Sequence, residues 1–377
     1  MAERYFLRYA LVLPPFNPET ERSDRVAIFV MCGMRLLIIT QKVDSRDDVL
    51  GFFHVWIVEF AKQYEHVTVI CLQKGECDLP KNVTMLSLGK EEKRSRRAYL
   101  GLFYRYIWQE RQKYDAVFVH MNPVYLALAG PLWRLWGKKV SLLYIHPNIG
   151  RYLKAAHLFA DVIFTASKNS FPFSSPKVLA VGHGIDAERF KPMPDAVKEK
   201  NSILYVGRIS PIKHLDLLIG AVRSLREKSI DFTLHLIGGP DARHADYYAA
   251  IKKETADLEK EGRVIYHGQI PNREMPRWYN AYEVLVNVTP SGSFDKTVLE
   301  AMACGTLVAV SNVNFAPYIP TEFLAKEGDS ASLAGVLAAI FSLPGAEKER
   351  YAQELRQTVL EHHGLAALVV KIKNALS

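Results

Sequence analysis

The sequence predicts an α/β protein of two Rossmann-like domains, each a parallel sheet covered by helices on both faces. Three observations predict it. From Met34 onward, short apolar runs alternate with stretches of helical periodicity, the pattern of a parallel sheet whose crossovers lie on its faces. A second series opens at 203–218, ILYVGRISPIKHLDLL, after a polar, proline-containing stretch over 191–200, KPMPDAVKEK, that suits a domain boundary. The length of 377 residues suits two or three domains, and 49% hydrophobic with 23% charged residues supplies apolar material for two cores.

The N-terminal 33 residues read as an appendage expected to be poorly ordered. Glu3, Arg4 and Arg8 precede an apolar run that Pro14 and Pro15 break, with no small-residue cleavage site behind it, so a signal peptide is not expected. The run over 26–40 is interrupted by Arg35 and is too short to span a bilayer. Over 34–192, strands are expected at 35–40, 67–72, 83–87, 115–120, 139–145 and 161–166, with helices between them. The first turn, 44–53, holds Gly51 and three acids, Asp44, Asp47 and Asp48. Acids beside a helix start are favoured there without any metal, so a solvated loop is expected and no metal site.

His120 ends the strand DAVFVH; from the residues alone it reads as a hydrogen-bonded structural histidine. His146, in YIHPN, is a weaker candidate of the same kind. The stretch 93–113, KRSRRAYLGLFYRYIWQERQK, mixes Lys93, Arg94, Arg96, Arg97, Arg105 and Arg111 with Tyr99, Phe103, Tyr104, Ile107 and Trp108. It suits either a helix lying on an anionic membrane surface or one whose aromatic face covers the sheet and whose basic face is wet. A net charge of +8 fits nucleoside diphosphates, anionic lipid or nucleic acid, but no recognisable nucleic-acid module is present, so no nucleic-acid partner is expected. Four cysteines, Cys32, Cys71, Cys77 and Cys304, lack zinc spacing and are too few for a disulfide framework, which makes a reducing cytoplasm the expected location.

The second domain is expected over 201–343. Arg208, after Gly207, leaves a strand's carboxyl end, and Lys213 stands at a helix's amino end. Ligands collect at such places in open α/β sheets. The strand over 234–238 ends in Gly238, Gly239 and Pro240, another phosphate-side turn. The stretch 289–310, TPSGSFDKTVLEAMACGTLVAV, reads as loop, short helix, glycine stop and buried strand, with Ser293 or Asp295 as the cap and Gly305 as the stop. A helix beginning near Lys296 would point free N–H groups, together with Phe294 and its neighbours, toward an anion. Arg208 and Lys213 facing that helix start would clamp a diphosphate. Glu300 lies one turn inside, on a helix so apolar that its carboxylate must face solvent or find a partner. Two helical patterns parted by Gly364 complete the chain over 344–377.

These residues resemble the family 4 retaining glycosyltransferases, which have the GT-B fold: two Rossmann-like domains facing across a cleft, with a C-terminal helix crossing back to the first. Gly207, Arg208 and Lys213 match the family's Gly-Arg…Lys segment, with His214 where a glycine is usual. LEAMACGTLVAV over 299–310 is similar to the second half of its Glu-x7-Glu motif, while Gly292 stands at the first Glu. VGHGIDAERFKP over 181–192, LHLIGGP over 234–240 and HGQIPNREMPRWYNAYEVLVNVTPS over 267–291 extend the likeness.

The resemblance implies that the first domain binds a glycan or lipid-linked acceptor and the second binds a nucleoside-diphosphate-sugar, without cofactor or metal. It implies that Glu300 holds the ribose, that Gly51 approaches the donor phosphates, that backbone near Ile270 meets the nucleobase, and that His120 faces the donor sugar. Ser293, Phe294, Asp295 and Lys296 complete the expected donor contacts, with Asp295 or Lys296 standing in for the missing Glu. Arg208, Lys213 and His120 are the expected catalytic residues. The rival expectation, supported by Gly292, is a catalytically inactive GT-B subunit serving binding or assembly.

Overall fold

The structure is a computed structural model that describes residues 33–47, 50–146, 148–167, 171–240, 243–291 and 294–377. Residues 1–32 of the N-terminal extension, Asp48, Gly292 and Ser293 lie outside the described residues. Residues 34–377 form one compact unit.

Seven strands make the N-terminal sheet: β1 (Arg35–Val43), β2 (His66–Lys74), β3 (Val83–Ser87), β4 (Ala116–His120), β5 (Lys139–Leu143), β6 (Val162–Thr165) and β7 (Val178–Ala180). Their spatial order is β3-β2-β1-β4-β5-β6-β7, and every pairing is parallel. The first six fall where apolar runs predict them; β7, only three residues and half exposed, carries no such run. The helices α1 (Phe52–Gln63), α2 (Arg96–Gln109), α3 (Pro123–Leu135) and α4 (Arg151–Phe159) cover the two faces. Strand β1 shows why its apolar run is continuous. Leu36 and Ile38 pack with Phe53, Trp56 and Phe60 of α1 on one face, while Leu37 and Ile39 pack with Phe103 of α2 and Trp133 of α3 on the other.

The second sheet contains β8 (Glu199–Val206), β9 (Thr233–Ile237), β10 (Val264–Gly268), β11 (Tyr282–Asn287) and β12 (Leu307–Val310), all parallel, in the order β10-β9-β8-β11-β12. Its helices are α5 (Leu215–Glu227), α6 (Ala245–Glu254), α7 (Ala256–Lys260), α8 (Met275–Ala281), α9 (Lys296–Ala303) and α10 (Ser330–Ser342). Both sheets therefore run outward from their first strand in one direction and restart beside it with the fourth. The point of restart, between β1 and β4 and between β8 and β11, is where an open α/β sheet leaves a crevice at its carboxyl end.

Two last helices tie the lobes together. Helix α11 (Gly345–His362) buries Leu355 and Val359 in the second core, whereas α12 (Leu365–Leu376) buries Leu368, Val369 and Ile372 in the first, beside α1. This is the crossing-back helix of the GT-B fold. The seam is pinned by backbone: Ile185 N–H donates to His363 O at 2.8 Å and Leu365 N–H to Ile185 O at 2.9 Å.

Helix α2 resolves the two readings of 93–113 in part. It starts at Arg96, where Ser95 caps it by accepting from Ala98 N–H, and it buries Phe103 and Ile107 in the sheet's core as a covering helix must. Leu100 and Trp108 remain 42% and 56% exposed.

Candidate active site

The crevice of the second lobe is built from three strand ends. Strand β8 runs into Gly207 and Arg208, and the Gly207 N–H donates to Ile237 O at 3.0 Å. Gly238, just past β9, has φ +133°, and a Cβ there would lie 1.9 Å from Gly207 O, so glycine lets the two turns close on one another. Lys213 ends a short 3-10 turn, and His214 follows at φ 46°, ψ 45°, in the left-handed region. That conformation accounts for the glycine usual at this place; histidine adopts it at a cost in strain.

Lys213 does meet the start of α9. Its Nζ donates to Asp295 Oδ2 at 2.6 Å and Thr289 Oγ1 at 3.2 Å. Asp295 is the N-cap residue, but its side chain makes no capping bond, contrary to the capping role expected for it. The carboxylate instead accepts from Asn287 Nδ2 and Thr289 Oγ1, each at 2.8 Å, because the lysine draws it toward the β8–β11 crevice. Burial opposes its charge, yet Lys213, Asn287 and Thr289 together hold its carboxyl below the usual range. The cation expected to stand open for a diphosphate is thus already paired with an acid of its own chain. Arg208 is exposed on the neighbouring turn, where its carbonyl accepts from Tyr205 Oη at 3.0 Å.

A cavity of about 550 Å³ opens between the lobes, lined by Phe52, Trp56, His120, His183, Lys296 and Glu300 among others. His120, 5% exposed, closes the β1–β4 crevice: its Nδ1 lies 3.1 Å from Thr40 Oγ1 and its ring stacks on Phe53 at 4.0 Å. Burial, with Lys296 nearby, pushes its pKa down to about 3, so it is a neutral imidazole at physiological pH. Glu300 finds the partner its apolar helix demands. Tyr279 Oη donates to its Oε2 at 2.8 Å, while burial raises its pKa against the pull of that bond, Lys296 and Arg189. Lys296 crosses to the other lobe, its Nζ 3.7 Å from the Phe52 ring centroid. Burial lowers its pKa to about 8, with Glu300 acting the other way.

Other expected contacts are placed differently. The Phe294 side chain is buried, stacked between Phe315 at 4.3 Å and His183 at 5.2 Å, which leaves its backbone but not its ring for a ligand. The Gly51 N–H donates to Asp47 O at 2.9 Å within its own turn, and a Cβ there would meet that same carbonyl. Ile270 is partly buried against the second core, after β10. Asp44 and Asp47 share Lys42, at 3.1 and 2.5 Å, which makes them a salt-bridged loop. His146 is exposed, accepts from Asn148 N–H and lies with its ring 6.4 Å from that of Tyr144.

Residue-level reasoning missed His183 and Arg189, both in the segment between the lobes. His183 is 4% exposed, and its burial holds it neutral against the pull of the Phe294 backbone; Arg189 donates to Asn272 O and, at 2.7 Å, to Asn272 Oδ1. Their segment, 181–192, was legible as a motif; that it lines the cavity was not.

Residues 200–342 match the family of glycosyl transferases group 1. The D-inositol 3-phosphate glycosyltransferase of Frankia alni is 29% identical over 199 residues, 50% of this chain and 46% of that one. The mannosylfructose-phosphate synthase of Agrobacterium fabrum is 30% identical over 140 residues, 34% of this chain and 31% of that one. The matched region thus spans less than half the length of these curated relatives. Among solved structures, Anabaena HepE in complex with UDP superposes with a TM-score of 0.70 at 16% identity, covering 91% of this chain and 99% of that one. Sucrose-phosphate synthase from Thermosynechococcus elongatus superposes with a TM-score of 0.65 at 17% identity, covering 90% and 98%. At such identities these likenesses show the fold, which is GT-B. Residues 200–342, and not the whole chain, therefore carry the likeness to the glycosyl transferases of group 1, the type that the motifs resemble.

Proposed function

We propose that the protein is a retaining hexosyltransferase that moves a sugar from a nucleoside-diphosphate-sugar to a glycan or lipid-linked acceptor, with no metal and no resident cofactor. The observation that carries the reading is the meeting of Lys213 with the start of α9 at the β8–β11 crevice, with Glu300 one turn further on and opening into the interlobe cavity. As the sugar leaves, negative charge gathers on the diphosphate. Lys213, Arg208 and the N–H groups of 294–297 are the groups that would stabilise it. Lys213 would exchange Asp295 for a phosphate oxygen, and Glu300 would fix the ribose and so orient the diphosphate. Attack on the same face, with the leaving phosphate taking the acceptor's proton, needs no protein nucleophile. His120, neutral and buried, can position a hydroxyl of sugar or acceptor but has no proton to give as an imidazolium. Uridine nucleotides are the first donors to try, because HepE was solved with UDP.

Alanine at Arg208 and at Lys213, assayed separately for transfer and for nucleotide affinity, tests the reading. Loss of transfer by about 10²–10³ at each position is expected. Activity within a few fold of the parent in both variants would reject the clamp. A second reading, an inactive binding or assembly subunit, is favoured by the Lys213–Asp295 pair, which leaves the lysine occupied. Nucleotide binding with no transfer or hydrolysis above background would support it instead. The exposed Leu100 and Trp108 on α2, beside Arg96, Arg97 and Arg105, support a cytoplasmic protein lying peripherally on an anionic membrane during polysaccharide synthesis.

A further inference from the structure

The first two residues of α9 send their side chains opposite ways. Asp295 turns into the second lobe, to Lys213, and Lys296 turns across the cleft onto α1 of the first. The Lys296 ammonium lies 3.7 Å from the Phe52 ring centroid and 5.9 Å from that of Trp56. Among the described residues it makes no hydrogen bond, and no carboxylate oxygen comes within 4.0 Å of it. Aromatic faces attract a cation but accept none of its three directed N–H donors in full. Lys296 is partly buried at the cavity wall, so its N–H donors are left to water or to a ligand that enters the cavity.

The surroundings say what kind of group that is. Glu300, the acid that acts on Lys296, takes the Tyr279 hydroxyl on Oε2, and its burial weighs against its charged form. Arg189 reaches the cavity but holds Asn272, and Asp186 Oδ1 takes the N–H groups of Glu188 and Arg189. Neither Arg208 nor Lys213 lines the cavity, so the Lys296 side chain points away from those two cations even though its backbone N–H belongs to the helix start beside them. The remaining lining offers flat apolar faces, Phe52, Trp56 and Phe190, and two buried neutral imidazoles, His120 and His183. Faces for a ring's C–H side, neutral groups for hydroxyls and one unmatched cation, in about 550 Å³, describe a sugar with a negative substituent.

We propose that Lys296 makes the interlobe cavity selective for a sugar bearing an anionic group, a carboxylate or a phosphate. The assignment rests on reading this cavity as the sugar-binding part of the cleft, and it goes further by naming the substrate's charge.

Calorimetric titration of the full chain with glucose 6-phosphate, glucuronate and glucose tests it, with UDP titrated separately to report on the second lobe. Tighter binding of at least one anionic sugar than of glucose, by tenfold or more, is expected, and the two arms distinguish phosphate from carboxylate. Lys296→Met should abolish that preference and leave UDP affinity within about twofold, while Lys296→Arg, which keeps charge and aromatic contact, should retain it. Equal affinity for glucose and both anionic sugars, no binding of either anion, or a preference that survives Lys296→Met would overturn the proposal. So would a parallel loss of UDP and sugar affinity in Lys296→Met, which marks a role in closing the lobes or holding the diphosphate. Failure of the transferase reading appears separately, as absent UDP binding or absent transfer in the parent protein.

Discussion

The crevices of the two lobes occupy the same place in the same sheet order, yet they are chemically opposite. Between β8 and β11 stand a lysine, an aspartate and their hydroxyl and amide partners, a network of charge close to solvent. Between β1 and β4 stands one imidazole, stripped of charge by burial and stacked on Phe53. Equal topology therefore supplies a location, and the side chains that happen to be there decide whether it holds an anion or a neutral ring.

Replacing His120 by Phe is the strongest way to test that division. The stack on Phe53 survives the change and the contact with Thr40 is lost. Transfer should fall by roughly 10², the low end for a positioned catalytic group, while UDP affinity stays within about twofold. Equal damage to UDP binding would show that the crevices are not independent.

Acid stability sharpens the comparison. His120 and His363 have pKa values pushed down to about 3 by burial, and His183 is held well below its ordinary value by the same cause. In the unfolded chain each titrates near pH 6.5, so between about pH 6.5 and 3 the unfolded state binds more protons. Stability is therefore fully present above pH 6.5 and is lost as pH falls toward 3. His235 and His267 of the second lobe shift in the same direction by burial, with Glu199 opposing. Urea midpoints at pH 7, 5.5 and 4.5 should fall steadily, and His120→Phe should flatten the decline by removing one of the most depressed groups. An unchanged slope would place the acid sensitivity elsewhere.

The smallest expected effect concerns the pair at α9. Asp295→Asn removes the carboxylate that competes with a phosphate for Lys213, so UDP should bind a few fold tighter while thermal stability drops, because the partly buried lysine loses its charged partner. Weaker UDP binding would instead make Asp295 part of the nucleotide site.

Much of this was legible before any coordinates. The apolar runs place β1 to β6 because a sheet covered on both faces leaves no position along a strand for water. Gly207, Gly238 and the start of α9 could be read as turns at strand and helix ends, since glycine and capping residues mark such ends locally. The three-residue β7 escaped because so short a half-exposed strand has no periodicity to detect. Phe294 was read as a ligand contact because its neighbours suggest a loop, and nothing local reveals Phe315 and His183 on either side of it.

By itself, then, the sequence determined where the strands and turns fall, that two parallel sheets form, and which cations and carboxylates stand near their carboxyl ends. Only the tertiary structure decided that Lys213 pairs with an acid 82 residues away, that Lys296 turns to the opposite lobe, and that Ile185 and His363 meet at the seam. Burial repeats with the period of a strand or helix and so is written into neighbouring residues. The direction of a long side chain and the partner it finds depend on which strands lie side by side, and that order is set by packing across the whole molecule.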